Sequence, residues 1–346
     1  ATDLEASIGG CRTRLQDSVA AFQGKSYYCY YGRWVAGSAT EDDIYSWNDT
    51  VDGAWRRGFL HPEKYYVFDE SEGWRAATTE FDYVLGIDGC THKRNGEITK
   101  VIDEENEKFT NYVCYEKEWR EGAGSSMPKD LYLNPAIKYD SITDARDGQI
   151  YKTVKIGTHV WMAQNLSYVD EVATPSLVGK FYCNRFGFGC KESDGALYTW
   201  AAAIDSVAVY EATGEKCGYQ KICSLPEKVR GICPEGWRLP TKAEWDELFE
   251  LAGGQDVAAT KLKNAVSWGK SDYGTDDFGF SAVAAGNIGY STHYHMFSGE
   301  YAQIWSSEGA DDEVFGFATS FYLNRKDVVF GNYRKDYKFS IRCIKD

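Results

Sequence analysis

The sequence predicts a chain built mainly of short β-strands, turns and long ordered loops, with two helices. Aromatic residues are abundant, since 25 Tyr, 17 Phe and 11 Trp occur among the 346 residues. The 34 glycines favour turns, and few stretches combine residues that favour helices. At this length the chain can form two or more domains, each with its own hydrophobic core.

An aromatic pattern occurs three times in the first 121 residues. In each copy, a run rich in Tyr, Val and Phe is followed by a turn and a second run that contains Trp. Alternating aromatics on both sides of a short turn predict a β-hairpin, and a period of about 40 residues predicts an array of modules. The three copies of the pattern are residues 27–34, 65–76 and 112–120. We therefore expect three small β-hairpin repeat modules, at about 1–40, 41–78 and 79–121.

The cysteines follow these repeats. The first module contains Cys11 and Cys29 and the third contains Cys90 and Cys114, whereas the second has Phe68 in place of the second cysteine. Each module has either both cysteines or neither, as expected if the two are bonded to each other. This pattern predicts the disulfides Cys11–Cys29 and Cys90–Cys114. Modules of this size bury little apolar surface, so a disulfide or a neighbouring module must help to stabilise them.

The full set of ten cysteines indicates an exported protein. An even number at loop-closing spacings favours disulfides formed in an oxidising compartment. The alternative, structural zinc, requires cysteines two to four residues apart, and even Cys217/Cys223 and Cys183/Cys190 are wider than that. We expect all ten to be oxidised: Cys11, Cys29, Cys90, Cys114, Cys183, Cys190, Cys217, Cys223, Cys233 and Cys343.

Composition also limits the possible partners and the location. With 52 acidic and 38 basic residues the net charge is -14, which argues against binding to nucleic acid and against a basic patch for anionic lipids. No stretch approaches the roughly 20 consecutive apolar residues of a membrane helix. The N-terminus lacks a signal-peptide pattern, so we expect a signal peptide to have been removed and the protein to be extracellular or at the cell surface.

The pattern changes after residue 121. Residues 122–146, rich in Gly, Ser and polar side chains, are predicted to form a linker. A strand is expected at 151–156, and helices at 196–204 and 242–251. The second helix has a capping box, with Thr241 as N-cap and Glu244 at the third helical position. The other predicted strands are 278–282, 304–307, 317–323 and 339–344.

Several motifs in residues 147–346 resemble a known family. The motifs are residues 151–157, 161–166, 197–203, 233–241, 277–282, 305–307 and 340–346. In this order they resemble the Fibrobacter succinogenes major paralogous domain, and the aromatic hairpins resemble modules that precede this domain in its relatives. The family is found on exported bacterial proteins and is largely of unassigned function.

The resemblance also implies a fold. The motif at 236–245 is similar to one in the superfamily of the formylglycine-generating, sulfatase-modifying enzyme, whose fold is C-type-lectin-like. The expected fold class is therefore α+β, with a C-type-lectin-like C-terminal domain that has a small twisted sheet, two helices and long loops.

The enzymatic activity of that superfamily is not expected to carry over. It requires reactive cysteines, whereas Cys183/Cys190 and Cys217/Cys223 each close a short loop, and Cys233 and Cys343 can join the 233–241 motif to the last strand. Six cysteines allow fifteen connectivities, so this set is a preference only. We predict no enzyme and no cofactor.

Two parts of the sequence have residues that could bind a metal. His293 and His295 would share one face of a strand and could hold a metal, although surface histidines in a loop are the alternative. The acidic stretches 276–277 and 311–313 could bind calcium, but neither matches an EF-hand loop, and we expect solvated turns. No metal site is therefore predicted, and calcium stays an open alternative.

The best candidates for ligand binding lie in the loop 287–301. This loop has aromatic and histidine side chains and joins two predicted strands, so a rigid scaffold would present it to solvent. Its candidate binding residues are Tyr290, His293, Tyr294 and Phe297. The sequence therefore favours a non-catalytic surface protein for binding or adhesion, to polysaccharide or to another surface protein.

The sequence leaves two alternative functions open and predicts one modification, O-glycosylation. The chain could instead be a structural subunit that assembles into a surface fibre, or, as the least favoured alternative, an enzyme of the sulfatase-modifying type. The tripeptides Asp-Thr-Val and Asp-Ser-Ile or -Val resemble bacterial O-glycosylation acceptors. The acceptor residues would be Thr50, Ser141 and Ser206, with Ser141 preferred because it lies in the predicted linker.

Overall fold

The structure is a computed structural model of the chain. It describes residues 19–22, 25–30, 33–36, 51–57, 64–77, 87–103, 108–121, 128–183, 190, 194–268, 274–289, 295–310 and 312–346. Two compact units divide the chain: residues 1–97 with 113–120 form the first, and residues 98–112 with 121–346 form the second.

Three three-stranded sheets occupy the described part of the first 121 residues. The first sheet consists of β1 (Val19–Phe22), β2 (Lys25–Tyr30) and β3 (Arg33–Ala36). The second consists of β4 (Trp55–Arg57), β5 (Tyr65–Asp69) and β6 (Gly73–Ala76). The third consists of β7 (Ile98–Asp103), β8 (Lys108–Tyr115) and β9 (Glu118–Glu121).

Each sheet contains the strands of one predicted hairpin together with an additional strand before them. In the first two sheets the hairpin is antiparallel, with Cys29 opposite Trp34 and Phe68 opposite Trp74. The Phe68 and Trp74 rings meet edge to face with centroids 5.6 Å apart, which is a stabilising cross-strand aromatic pair. That the three sheets are repeats of one module stays a prediction.

The second unit contains four sheets and four helices among its described residues from 128 onward. Its five-stranded sheet has the order β10 (Asp140–Thr143), β11 (Ile150–Ile156), β12 (His159–Met162), β21 (Ile344–Lys345) and β15 (Trp237–Arg238). A three-stranded sheet consists of β18 (Tyr301–Gly309), β19 (Phe315–Tyr322) and β20 (Val329–Arg334). Two short ribbons pair β13 (Phe181–Tyr182) with β14 (Leu197–Tyr198) and β16 (Asn287–Ile288) with β17 (His295–Met296). The helices are α1 (Trp200–Ala203), α2 (Ser206–Thr213), α3 (Lys242–Leu251) and α4 (Gln255–Leu262).

Tryptophans fill the core of this unit. One hydrophobic cluster contains Trp200, Trp237 and Trp305, and a second contains Trp161 and Trp245; all five side chains are at most 4% exposed. Burying side chains of this size supplies much of the hydrophobic stabilisation of a small domain. A mostly β structure with a few helices agrees with an α+β fold.

The predicted helices are only partly right. The capping box places α3 as expected: the Thr241 hydroxyl accepts from the Glu244 backbone N–H, and the Glu244 carboxylate accepts from the Thr241 N–H. The predicted helix 196–204 is wrong over its first residues, because Leu197 and Tyr198 form β14 opposite β13, and only α1 is helical. Two helices were missed, α2 and α4.

Three further segments differ from expectation. Of the predicted strand 339–344, only Ile344 lies in a strand, β21, and Phe339 and Ser340 make isolated bridges. Residues 278–282 do not form a strand; only Ala282 makes an isolated bridge, to Lys263. Residues 128–146, assigned to the linker, are folded onto the second unit, because β10 pairs with β11 and Tyr132 is buried. A composition rich in Gly, Ser and polar residues predicts a linker, but it does not reveal this strand pairing.

No helix in the described ranges is both long and apolar enough to cross a membrane.

Candidate ligand-binding surface

Disulfides join the predicted cysteine pairs wherever both partners are described. Cys90 is bonded to Cys114, Cys183 to Cys190, Cys217 to Cys223, and Cys233 to Cys343. Cys29 is also in a disulfide, and its predicted partner Cys11 lies outside the described residues. No described cysteine is a free thiol, so no reactive thiolate is available among them.

The motif at 236–245 is used to build the start of α3. Arg238, 4% exposed, pairs through both terminal nitrogens with the Glu244 carboxylate, which also caps the helix. Burial alone would raise the pKa of Glu244, but hydrogen bonds from Arg238 and from the Thr241 backbone outweigh it and lower the pKa. The two tryptophans of the motif, Trp237 and Trp245, are in the core. This motif therefore has a structural role.

Three other motifs meet at Arg342, which is fully buried. Its guanidinium donates to the Asn165 side-chain oxygen at 2.6 Å, to the Met162 carbonyl at 3.1 Å and to the Ser281 carbonyl at 2.7 Å, as well as to the Phe280 carbonyl. Burial lowers the pKa of Arg342. Oxygen acceptors on several sides compensate the desolvation of this charge and join segments that are 61 to 180 residues apart in sequence.

Asp276 belongs to the same buried network. Its carboxylate accepts from the Ser281 N–H at 2.7 Å and from the Ser281 hydroxyl at 2.6 Å. Burial raises the pKa of Asp276 to about 7, and the bonds from Ser281 and the nearby Arg342 charge only partly offset this. At 2% exposure it is not part of the solvated turn that the sequence predicted.

The predicted binding loop is described only at its ends. Tyr290, His293 and Tyr294 lie outside the described residues, and of His295 only the backbone is described, in β17. Phe297 is described and is 36% exposed, although its backbone has the left-handed φ of 62° that is rare for a non-glycine residue. Its carbonyl accepts from the N–H groups of Glu300 and Tyr301, so this turn is firmly held.

Phe297 begins an aromatic row on the adjoining sheet. Its ring stacks on Tyr301 with centroids 4.3 Å apart, and Tyr301 meets Tyr322 edge to face at 5.1 Å. The guanidinium of Arg325 lies 5.1 Å from the centre of the Tyr322 ring. We call Phe297, Tyr301 and Tyr322 the aromatic row; the β18–β19 register places Tyr301 directly opposite Tyr322. Both tyrosines are partly exposed.

A chain of hydrogen bonds runs to the end of this row. Asn287 donates to the Gln303 side-chain oxygen at 2.7 Å, Gln303 donates to the Ser320 hydroxyl at 3.3 Å, and Ser320 donates to the Tyr333 hydroxyl at 2.7 Å. The Tyr333 and Tyr322 hydroxyls are 3.1 Å apart. Burial raises the pKa of Tyr333 to about 12, so its hydroxyl stays protonated at neutral pH. A fixed chain of polar groups beside exposed rings is suited to a ligand with hydroxyl groups.

Lys263 holds the turn that follows Tyr322. Its buried ammonium donates to the carbonyls of Leu323 at 3.2 Å and Arg325 at 2.8 Å, and also to the Tyr322 carbonyl. Burial lowers the pKa of Lys263 to about 7. Because the N–H groups of its ammonium are bound to backbone oxygens, this lysine stabilises the end of the aromatic row and is not placed to act as a nucleophile.

A separate cleft of about 540 Å³ lies elsewhere in the second unit. Residues of α2 and of the segment 226–231 form most of its lining, and its charged residues are Arg146, Asp205, Lys228 and Arg230. Arg146 is already bound to Asp144 through two nitrogens and covers the Tyr168 ring at 3.8 Å. The Asp205 carboxylate accepts from Ser176 at 2.6 Å. Arg146 and Asp205 are therefore engaged within the protein, which makes this cleft the weaker candidate.

The predicted glycosylation residues differ in accessibility. Ser141 is exposed but lies in β10 and not in a linker, Ser206 is only 8% exposed at the start of α2, and Thr50 lies outside the described residues. A buried hydroxyl in a helix is a poor acceptor, so Ser141 stays the preferred site and modification stays a prediction.

Sequence reasoning located one end of this surface and missed most of the rest. Phe297 was predicted, whereas Tyr301, Tyr322 and Tyr333 were not, because they lie on strands whose pairing was unknown. The alternation of Tyr301, Gln303 and Trp305 along one strand face was a signal that could have been followed, since these side chains share a face with Tyr322 across the pair.

Comparison with known families agrees with this arrangement of motifs. The profile of the Fibrobacter succinogenes major domain (Fib_succ_major) matches residues 154–345, more than half of the chain. Neither the curated proteins nor the solved structures give a match. The chain belongs to the Fibrobacter succinogenes major domain family.

Proposed function

We propose that this chain is a non-catalytic binding or adhesion protein of the bacterial cell surface, and that the aromatic row contacts its ligand. The observation that carries the proposal is Phe297, an exposed ring held in a strained backbone conformation. A non-glycine residue in that conformation costs about 1–3 kcal/mol, which is similar to the gain from burying the part of the ring that is not exposed. Strain of this kind is often kept where a side chain serves recognition.

The chemistry of the surface favours polysaccharide as the ligand. Aromatic rings stack on the apolar faces of sugar rings, while Tyr322 and Tyr333 offer hydroxyls that can donate or accept hydrogen bonds. Glu300 and Arg325 are exposed beside the row and add polar contacts at its rim. Another surface protein is the alternative partner, because aromatic residues with a polar rim are also typical of protein interfaces.

The family motifs support a role without catalysis. Arg238, Glu244 and Arg342 are bound to other protein groups and are buried or nearly so, and Asp276 is buried as well. These side chains therefore make contacts within the fold and do not line an open site. The described cysteines are all in disulfides, which also removes the thiol that a sulfatase-modifying enzyme would need.

The proposal also includes the type of fold and the location of the protein. We infer a C-type-lectin-like second unit preceded by hairpin repeats, and an extracellular position. The four disulfides between described cysteines fit an exported protein.

A glycan array probed with the purified chain tests binding, and negative-stain microscopy of the same sample tests assembly. Specific glycan hits from monomeric protein support the proposal. Regular filaments without glycan binding would contradict it and would favour the fibre subunit that the sequence left as an alternative.

A further inference from the structure

Three side chains with metal-binding atoms converge in the first unit. His92 Nδ1 lies 3.1 Å from Asp69 Oδ2 and 3.8 Å from Glu72 Oε1. All three donor atoms lie within 4.8 Å of one another. Two of these residues come from a hairpin turn, Asp69 and Glu72, and His92 comes from a separate loop later in the sequence.

The spacing matches the geometry of a tetrahedral site. Zinc binds imidazole nitrogen at about 2.0–2.1 Å and carboxylate oxygen at about 2.0–2.2 Å, so neighbouring ligand atoms on a tetrahedron are about 3.4 Å apart. The observed separations of 3.1 and 3.8 Å lie on either side of this value. Small side-chain movements would bring these two separations to the tetrahedral value, and the two carboxylates lie within 4.8 Å of each other.

The ligands are also oriented by other contacts. The second carboxylate oxygen of Asp69 accepts from the Ser71 N–H at 2.9 Å, and Asp69 Oδ2 accepts from the His92 backbone N–H at 3.0 Å. Asp52 ties the same two segments together, since it accepts from the Glu70 N–H at 3.0 Å and from the Thr91 hydroxyl at 2.6 Å. The Cys90–Cys114 disulfide lies two residues before His92 and fixes its loop. Outer contacts of this kind orient metal ligands in known sites.

Access from solvent is available. His92 is 50% and Glu72 42% exposed, and a cleft of about 470 Å³ is lined by His92, Asn95 and Lys117 among others. Lys117 donates to the Glu72 carboxylate at 2.7 Å, so without a metal ion its ammonium supplies the positive charge at this carboxylate. An entering cation would displace Lys117 from Glu72.

We propose that Asp69, Glu72 and His92 bind a divalent metal ion of the zinc class, with the fourth position open to the cleft beside His92. Zn²⁺ accepts both imidazole nitrogen and carboxylate oxygen as ligands. The two carboxylates neutralise the charge of the ion. The inference concerns the first unit and does not depend on the proposed glycan surface.

Isothermal titration of the full chain with Zn²⁺ tests the site. We expect His92→Gln and, separately, Glu72→Gln to lose one zinc equivalent per chain or to weaken its binding at least about 100-fold, more than the loss of an outer contact. The matched control is His159→Gln, because His159 also lies 3.1 Å from a carboxylate, that of Glu247, but has no second carboxylate in a described metal cluster. This control should bind zinc as the unchanged chain does.

The variant Lys117→Gln distinguishes metal binding by Glu72 from a merely structural role of this carboxylate. It frees Glu72, so it should tighten zinc binding by about two- to fivefold, the effect of losing an exposed ion pair. A visible absorption band of four-coordinate Co²⁺ that is lost in His92→Gln would give the coordination directly. The proposal is overturned if the unchanged chain binds no zinc, if His92→Gln and Glu72→Gln bind it as before, or if Lys117→Gln weakens binding.

Discussion

Replacement of Arg342 by Met tests whether the family motifs act through the buried network. Met has a similar length and no charge, so the change removes the hydrogen bonds without leaving a large cavity. The acceptors that lose a donor are the Asn165 side chain and the carbonyls of Met162, Phe280 and Ser281.

The expected loss of stability follows from two opposing effects. Each buried acceptor without a partner costs about 1–3 kcal/mol, so four such groups would cost about 4–12 kcal/mol. Removal of a buried guanidinium recovers several kcal/mol of desolvation. The net loss in the free energy of unfolding should therefore be about 3–5 kcal/mol, which corresponds to a fall in Tm of about 6–20 °C for a unit of this size.

Urea denaturation followed by circular dichroism measures this loss. The matched control is Arg325→Met, since Arg325 is 50% exposed and paired with Asp327, and it should change the free energy of unfolding by less than about 0.5 kcal/mol. If Arg342→Met lies within about 1 kcal/mol of the unchanged chain, the network does not hold these segments together.

Three other predictions follow from the same structure. Burial raises the pKa of Asp276 to about 7 in the folded chain, above its unfolded value of about 4. The protonated carboxyl therefore contributes fully to stability below about pH 4, and this contribution is lost as the pH rises through about 7. Asp276→Asn should flatten the fall in stability between about pH 4 and 7, and an unchanged profile in urea titrations would refute this assignment. All ten cysteines should be oxidised, so a thiol assay on denatured, unreduced protein should find no free thiol, and two or more would contradict the complete set of disulfides. The double variant Tyr290→Ala, Tyr294→Ala should weaken ligand binding with an unchanged Tm, whereas a parallel loss of binding and Tm would indicate a structural role for these tyrosines.

Local signals in the sequence predicted local structure well. The helix Lys242–Leu251 begins where Thr241 and Glu244 form a capping box, because the residues that define it are only three positions apart. The pair Cys90–Cys114 was predicted from the presence and absence of cysteines in the modules. The helix Gln255–Leu262 was missed because Gly253 and Gly254 indicate the end of the preceding helix. Gly254 is also the N-cap of the helix Gln255–Leu262.

Features that depend on distant contacts could not be predicted. Tyr198 forms a bridge with Phe339, and this pairing outweighed the helical pattern at 196–204. The environment of Arg342 is formed by residues up to 180 positions away. The aromatic row likewise depends on the register that places Tyr301 opposite Tyr322, and strand register is not fixed by either strand alone.

The most direct test of the proposed binding surface is an isothermal titration that compares Phe297→Ala with Phe315→Ala, using the glycan bound most tightly on the array. The two phenylalanines have nearly equal exposure, 36% and 37%, but Phe315 is not part of the aromatic row. Loss of a stacking ring costs about 1–3 kcal/mol, so Phe297→Ala should raise the Kd by about 5- to 150-fold in a chain that stays folded, while Phe315→Ala should leave the Kd unchanged. Equal Kd values for the unchanged chain and Phe297→Ala would contradict the assignment of ligand binding to this surface.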